Sequence, residues 1–297
     1  MIIYLKLVMT AIFWGGTFVA GRAIAPVVGP FSGSFLRFFL ASICLVILAL
    51  NTPGGLPRAK KTQILPLILL GLTGVFAYNV LFLAGLQTVT ASRASIIIAN
   101  NPVFLALFSA ILFKEQLGGQ KIFGILLCLT GAIIAITQGD VASILHGAVG
   151  LGELLIFGCV ASWVAYSLVG KVVMLGMSPL IAIMYSSIFG GLFLLPPALA
   201  EGIVHQISSY PMMVWLGIFY LAFFGTTIGF TWYYQGIQAI GPARSGVFIN
   251  LVPISAIALA ALILGEKLNL SLLLGLILVT GGIFLTNSTA PWKHSVH

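Results

Sequence analysis

A succession of long apolar runs constrains this chain more than any other feature. A helix needs about 20 predominantly apolar residues to cross the hydrocarbon core of a bilayer. Ten runs of that kind lie between turn-formers and charges, at 4–24, 31–50, 64–86, 91–113, 120–138, 150–171, 179–199, 212–235, 243–264 and 270–289. Pro26 to Pro30, Asn51 to Pro57, Gly118-Gly119, Gly139-Asp140, Gly176 to Pro179 and Gly241-Pro242 punctuate them. In lipid every backbone polar group must be satisfied internally, which leaves helices or a closed barrel. A barrel would show short alternating segments, whereas these runs are continuous. The expected fold is therefore an all-α integral membrane protein with ten transmembrane helices. Composition agrees: of 297 residues 60% are apolar and 6% charged, against about 25% charged in a soluble domain. A soluble enzyme, a disordered chain and a disulfide scaffold are excluded together.

The charge balance is 13 Lys and Arg against 5 Asp and Glu. The basic residues are scattered singly between apolar runs, so they read as topology signals rather than as a nucleic-acid surface. With the N-terminus cytoplasmic, Lys6, Arg58, Lys60, Lys61, Lys114, Lys121, Lys171, Arg244 and Lys293 fall inside. Only Arg22, Arg93 and Lys267 fall outside. Both termini are expected in the cytoplasm of a bacterial-type cell, with the chain in its inner membrane. The first run leads through Arg22 into the next without a convincing cleavage site, so it is read as a permanent helix. Cys44, Cys128 and Cys159 lie in apolar runs as small hydrophobes, and His146, His205, His294 and His297 fall in loops or the tail. No metal or cofactor is expected.

The chain also repeats itself. A shift of 151 residues brings Gly85, Gln87, Arg93, Pro102, Ala110, Glu115, Leu117, Gly124 and Gly131 onto Gly236, Gln238, Arg244, Pro253, Ala261, Glu266, Leu268, Gly275 and Gly282. A shift of 149 brings Trp14 onto Trp163, Arg22 onto Lys171 and Pro30 onto Pro179. The chain therefore divides into two units, 1–140 and 141–297, each of five helices. Five is odd, so the second must lie inverted in the membrane relative to the first. Inverted repeats characterise secondary transporters, with the substrate site near midplane between the halves.

These residues carry a family resemblance. Trp14-Gly15-Gly16, Arg37 and the two copies of the Arg–Pro–Glu–Gly–Gly pattern make the chain similar to the drug/metabolite transporter superfamily, in its ten-helix branch of paired EamA-type repeats. The resemblance covers essentially the whole chain, and within the family it is strongest to amino-acid exporters, including those for aromatic amino acids. It implies an exporter of small metabolites. The second repeat departs from the first at Arg37, where Ser186 stands, so any role of that arginine belongs to one half.

Several positions invite a function. Pro102 and Pro253 sit near the centres of helices four and nine, where proline removes an intrahelical bond and kinks the chain. They are read as hinges for rocking the halves, with a static kink as the alternative. Gly124 and Gly131, repeated as Gly275 and Gly282, suit a tight packing seam. Glu115 and Glu266 are expected to anchor helix ends. Arg37 lies inside helix two, where an intramembrane charge is a functional candidate. It has three readings: a partner for a substrate carboxylate, a pair with Glu153, or a side chain snorkelling to the interface.

The expected binding surface is aromatic and amide. Trp14, Tyr78, Phe82, Trp163, Tyr166 and Trp232 supply rings, and Asn79, Asn101, Asn250 and Ser167 supply polar groups at membrane depth. Such apolar walls with a few polar contacts suit small amphipathic molecules. No carboxylate falls mid-membrane to carry protons, and no nucleotide-binding or hydrolytic motif is present. The expected function is alternating-access export of amino acids with apolar or aromatic side chains, by facilitated diffusion, without enzymatic activity and with a monomer sufficient. Efflux of cationic aromatic drugs and a non-transporting membrane scaffold are the alternatives.

Overall fold

The computed structural model describes residues 1–52, 56, 59–113, 118–140, 142, 149–173 and 177–287, with the backbone alone at 109, 112–113, 171–173, 242–243 and 287. Arg58, Lys114, Glu115, His146, Trp292, Lys293, His294 and His297 lie outside the described residues. Ten helical spans carry the chain: α1 Ile2–Ile24, α2 Pro30–Leu50, α3 Lys61–Leu86, α4 Ala91–Ile98 continued by Asn101–Phe113, and α5 Gly119–Thr137. The second set is α6 Leu151–Val173, α7 Pro179–Ala200, α8 Met212–Ile240, α9 Pro242–Ile249 continued by Leu251–Leu264, and α10 Leu270–Asn287. Among the described residues nine helices are long and apolar enough to cross a membrane, and a shorter apolar helix completes the ten.

The packing shows the inverted repeat. Residues Gly124 and Gly131 of α5 lie against Gly282 and Gly275 of α10, so one helix counts up as its equivalent counts down. α2 and α7 are likewise antiparallel, with the end of α2 beside the start of α7. The other pairings exchange when the halves are exchanged: α1 packs on α8 and α9, as α6 packs on α3 and α4. At the α5–α10 seam a methyl group on Gly131 would lie 2.8 Å from the Gly275 carbonyl oxygen. Only two helices without side chains at the crossing approach so closely.

Two departures from ideal helix sit at matching positions. α3 is π-helical over Gly71–Ala77 and α8 over Tyr220–Ile228, offset by the same 149 to 151 residues as the sequence repeat. α4 is interrupted after Ile98 and α9 after Ile249, just ahead of Pro102 and Pro253. Each proline ring collides with the carbonyl four residues back and withholds an N–H, so the helix restarts there.

The two ends of the bundle differ. At the terminal face, where α1 begins, Lys6 donates to Gln235 (2.7 Å) and Tyr4 meets Phe248. At the opposite, distal face, carboxylates tie the starts of helices to the other repeat. Glu266 accepts from the backbone N–H of Ala91 (2.8 Å) and Ser92 (3.0 Å) at the start of α4. Glu201 accepts from Phe31 and Ser32 at the start of α2. Arg93 pairs with Glu153 at 2.9 Å, and Arg22 donates to the Leu86 carbonyl. A helix start offers unpaired N–H groups and partial positive charge, which a carboxylate satisfies. Glu266 thus anchors a helix end as expected, though the helix is α4 of the other half.

Candidate functional site

The site is best built outward from the π-helical segments. Shifting a helical ladder from four- to five-residue spacing leaves carbonyls short of a backbone donor, and side chains make up the difference. In α3 the Asn79 amide donates to the carbonyls of Gly74 (3.0 Å) and Val75 (2.9 Å). In α8 the hydroxyls of Thr226 and Thr227 donate five residues back, to Leu221 and Ala222. The carbonyl of Gly225, the repeat counterpart of Gly74, accepts the indole N–H of Trp14 at 3.0 Å. Side-chain space is made by the same glycines: the Tyr166 ring lies over Gly74, and Thr17 over Gly225.

Between these two segments stands Arg37, 8% exposed. Its Nη1 donates to Asn79 Oδ1 (2.7 Å), and Nε and Nη2 donate to Thr226 Oγ1 (3.3 and 3.1 Å). One partner belongs to the first repeat and the other to the second. Of the three readings for this residue, pairing with Glu153 is overturned, because Glu153 is bound to Arg93. Snorkelling is overturned too, since the guanidinium is buried among side chains of three helices.

An aromatic row runs alongside. Tyr78 meets Trp163 with ring centroids 5.7 Å apart, Trp163 meets Phe230 at 6.5 Å, and Phe230 meets Trp14 at 5.3 Å. Trp163 also contacts Tyr166, Tyr78 stacks on Phe82, and Trp14 contacts Tyr233. The row crosses from α3 through α6 and α8 to α1, so both repeats contribute. Offset and tilted ring pairs of this kind present flat faces and edges to a guest.

A cavity of about 600 Å³ opens toward the terminal face between α2, α7 and α8. Its walls are Leu45 and Leu48 of α2, Thr52 just past its end, Ser178 to Ile181 and Ile183 around the start of α7, and Phe230, Thr231, Tyr234, Gln235 and Gln238 of α8. Phe230 belongs both to this wall and to the aromatic row. Thr227, Thr231, Gln235 and Gln238 share one face of α8, spaced four, four and three apart, as a polar stripe leading inward.

The sequence-derived candidates divide accordingly. Trp14, Tyr78, Asn79, Phe82, Trp163 and Tyr166 come together in this region, with Ser167 half-buried next to Tyr166 on α6. Trp232 does not join them; it turns to Phe13 and lies under the Lys6 ammonium at 5.9 Å. Asn101 and Asn250 stand at the interruptions of α4 and α9, and the Asn101 Oδ1 is buried without a hydrogen-bond partner among the described residues. Phe230, Tyr233, Thr226 and the polar stripe of α8 were not singled out from sequence, although the threonine–glutamine spacing on one apolar helix is a legible signal.

Comparison with known proteins agrees with this architecture. The EamA-like transporter family matches residues 1–137 and 150–288. The uncharacterized transporters YyaM and YetK of Bacillus subtilis are 28% and 30% identical over 95% of this chain, covering 92% and 86% of their own lengths. A probable terminal-alkyne amino-acid exporter of Streptantibioticus cattleyicolor is 29% identical over 95% of this chain and 92% of its own. A solved crystal structure, 20% identical, superposes with a TM-score of 0.65 over 95% of this chain and 94% of that one, which shows the shared fold. Two matching halves, the paired π-helical segments and full-length similarity to membrane transporters lead to one conclusion: this chain is a multi-pass membrane transporter and belongs to the EamA-like family.

Proposed function

We propose that this transporter exports amino acids with apolar or aromatic side chains by alternating access, with units 1–140 and 141–297 as its two moving halves. The observation that carries the reading is the aromatic row Tyr78–Trp163–Phe230–Trp14, contributed by both repeats and continuous with the cavity through Phe230. Apolar faces of that size suit a side chain, and the neighbouring hydroxyls and amides suit its polar groups. The excess of basic residues at the terminal face favours a cytoplasmic placement for both ends. The cavity then opens to the cytoplasm while the carboxylate-capped distal face is closed, the state in which an exporter loads. The interruptions ahead of Pro102 and Pro253 are natural hinges, because a helix restarted at proline bends at little further cost.

Support from a relative is consistent in substrate class: one similar protein is described as a probable amino-acid exporter. Facilitated diffusion is the proposed energetics, since the described carboxylates Glu153, Glu201 and Glu266 serve the distal face and Asp140 follows the distal end of α5. The test is counterflow of labelled amino acids in liposomes, with no imposed pH gradient, for the wild type, Tyr78→Ala and Trp163→Ala. Flux of phenylalanine or leucine that falls at least tenfold in both variants is expected. Unchanged flux in both would remove the aromatic row from the pathway, and uptake that vanishes without a pH gradient would overturn the energetics.

A further inference from the structure

Arg37 has a feature that aromatic packing leaves unexplained. It is a buried cation without a counter-charge: the one ion pair among the described residues is Arg93–Glu153, on the distal face. Ionisable groups inside a membrane protein pair with one another or mark the path of a substrate. The guanidinium carries five N–H donors, and its three hydrogen bonds go to the neutral acceptors Asn79 Oδ1 and Thr226 Oγ1. One N–H on each terminal nitrogen is left over. Two such donors form the fork that matches the oxygens of a carboxylate.

Its position is equally specific. The cavity-lining face of α8 runs Gln238, Gln235, Tyr234, Thr231 and Phe230, and Thr226 lies one turn beyond Phe230, about 6 Å along the axis. Cavity-lining Leu48 follows Arg37 by eleven residues, three turns along the same face of α2. Along α8 the guanidinium's partner Thr226 thus lies one turn past the inner wall of the cavity, and along α2 Arg37 lies about two turns past Leu45, beyond buried Ala41 and Phe38. Tyr78, an end of the aromatic row, precedes Asn79 in α3 and interacts electrostatically with Arg37, so the ring and the cation are neighbours.

We propose that Arg37, oriented by Asn79 and Thr226, is the anion subsite of the transport pathway and receives the carboxylate of an amphipathic cargo whose apolar part lies against the aromatic row. The proposal rests on the amino-acid reading above and sharpens it: the carboxylate is required, and the ammonium is not. It also separates amino acids from cationic aromatic drugs, which a buried guanidinium repels. Because its two orienting partners come from opposite repeats, filling the subsite touches both halves at once.

The experiment uses three probes that share a phenyl ring: phenylalanine, phenethylamine without the carboxylate, and 3-phenylpropionate without the ammonium. Each competes against labelled phenylalanine in counterflow, and each is titrated by tryptophan fluorescence on the purified protein, as wild type, Arg37→Lys and Arg37→Gln. Expected for the wild type is 3-phenylpropionate within about threefold of phenylalanine and phenethylamine at least tenfold weaker. Arg37→Gln abolishes that discrimination, and Arg37→Lys keeps part of it. Phenethylamine binding as well as phenylalanine in the wild type, or discrimination intact in Arg37→Gln, overturns the subsite. If Arg37→Gln does not fold, the wild-type ratios and Arg37→Lys decide alone. Absence of amino-acid flux with 3-phenylpropionate still preferred in fluorescence would retire the amino-acid reading and keep the subsite.

Discussion

The α5–α10 seam offers a direct measure of how closely the two halves are packed. A Cβ on Gly131 would meet the Gly275 carbonyl oxygen at 2.8 Å, Leu278 Cβ at 2.9 Å and the Val279 nitrogen at 2.9 Å. These are backbone or Cβ atoms, and none can swing aside as the end of a long side chain would. Ordinary contact for a methyl group begins near 3.4 Å, so the helices must separate by about half an ångström along this crossing. Overpacking of a filled interior costs about 1–3 kcal/mol. Gly131→Ala also gains helix propensity, up to about 1 kcal/mol, which obscures the steric term if it is measured alone. Gly246 supplies the reference, since it too is helical and a Cβ there meets nothing within 4 Å. Subtracting the effect of Gly246→Ala from that of Gly131→Ala cancels propensity and leaves the steric cost. The expected difference in unfolding free energy, read from titration with SDS in mixed micelles, is about 1–3 kcal/mol against Gly131→Ala. A difference under about 0.5 kcal/mol would mean that the seam is looser than these distances say, and the reasoning from close approach would fail.

Three further outcomes are expected. Asn79→Leu removes an acceptor from a buried guanidinium and a donor from two π-helix carbonyls, so it should cost about 3–5 kcal/mol in the same assay; a cost under about 1 kcal/mol would show that Arg37 does not depend on it. Glu266→Ala leaves two N–H groups at the start of α4 uncapped, for about 1–2 kcal/mol. It should loosen the distal face, so that a cysteine at buried Ser92 reacts faster with an impermeant maleimide than in the Glu266 background; equal rates would show that the Glu266 cap does not hold that face closed. Trp14→Phe keeps an aromatic ring, though a smaller one, and loses the bond to Gly225, which should cost at least about 1 kcal/mol, while Trp232→Phe, outside the aromatic row, should leave counterflow unchanged.

Much of this architecture was legible residue by residue. The ten apolar runs became ten helical spans with ends displaced by a few residues, because twenty apolar residues in lipid have no alternative to internal hydrogen bonding. Pro102 and Pro253 announced where α4 and α9 break, since the clash is local. Part of the proposed site was legible as well: Tyr78 and Trp163 are neighbours, and Trp14 reaches them through Phe230. Trp232 shows where sequence stops, since it gives the helix a ring sits on and not the direction the ring takes. Its ring leaves the opposite side of α8, toward Phe13.

Hydropathy, turn chemistry and self-similarity were enough for the chain alone to determine a membrane-spanning helical protein of two repeats, inverted because five is odd. Only the tertiary structure decided which side chains complete which backbone. The α3 segment finds its donor locally in Asn79, but the Gly225 carbonyl of α8 is met by Trp14, and that depends on how α1 is rotated against α8. Arg37 passed from an isolated charge with three readings to a guanidinium held by both repeats for the same reason. A helix's existence is set by its own residues, whereas the burial and partners of a side chain are set by the angle at which the next helix crosses it.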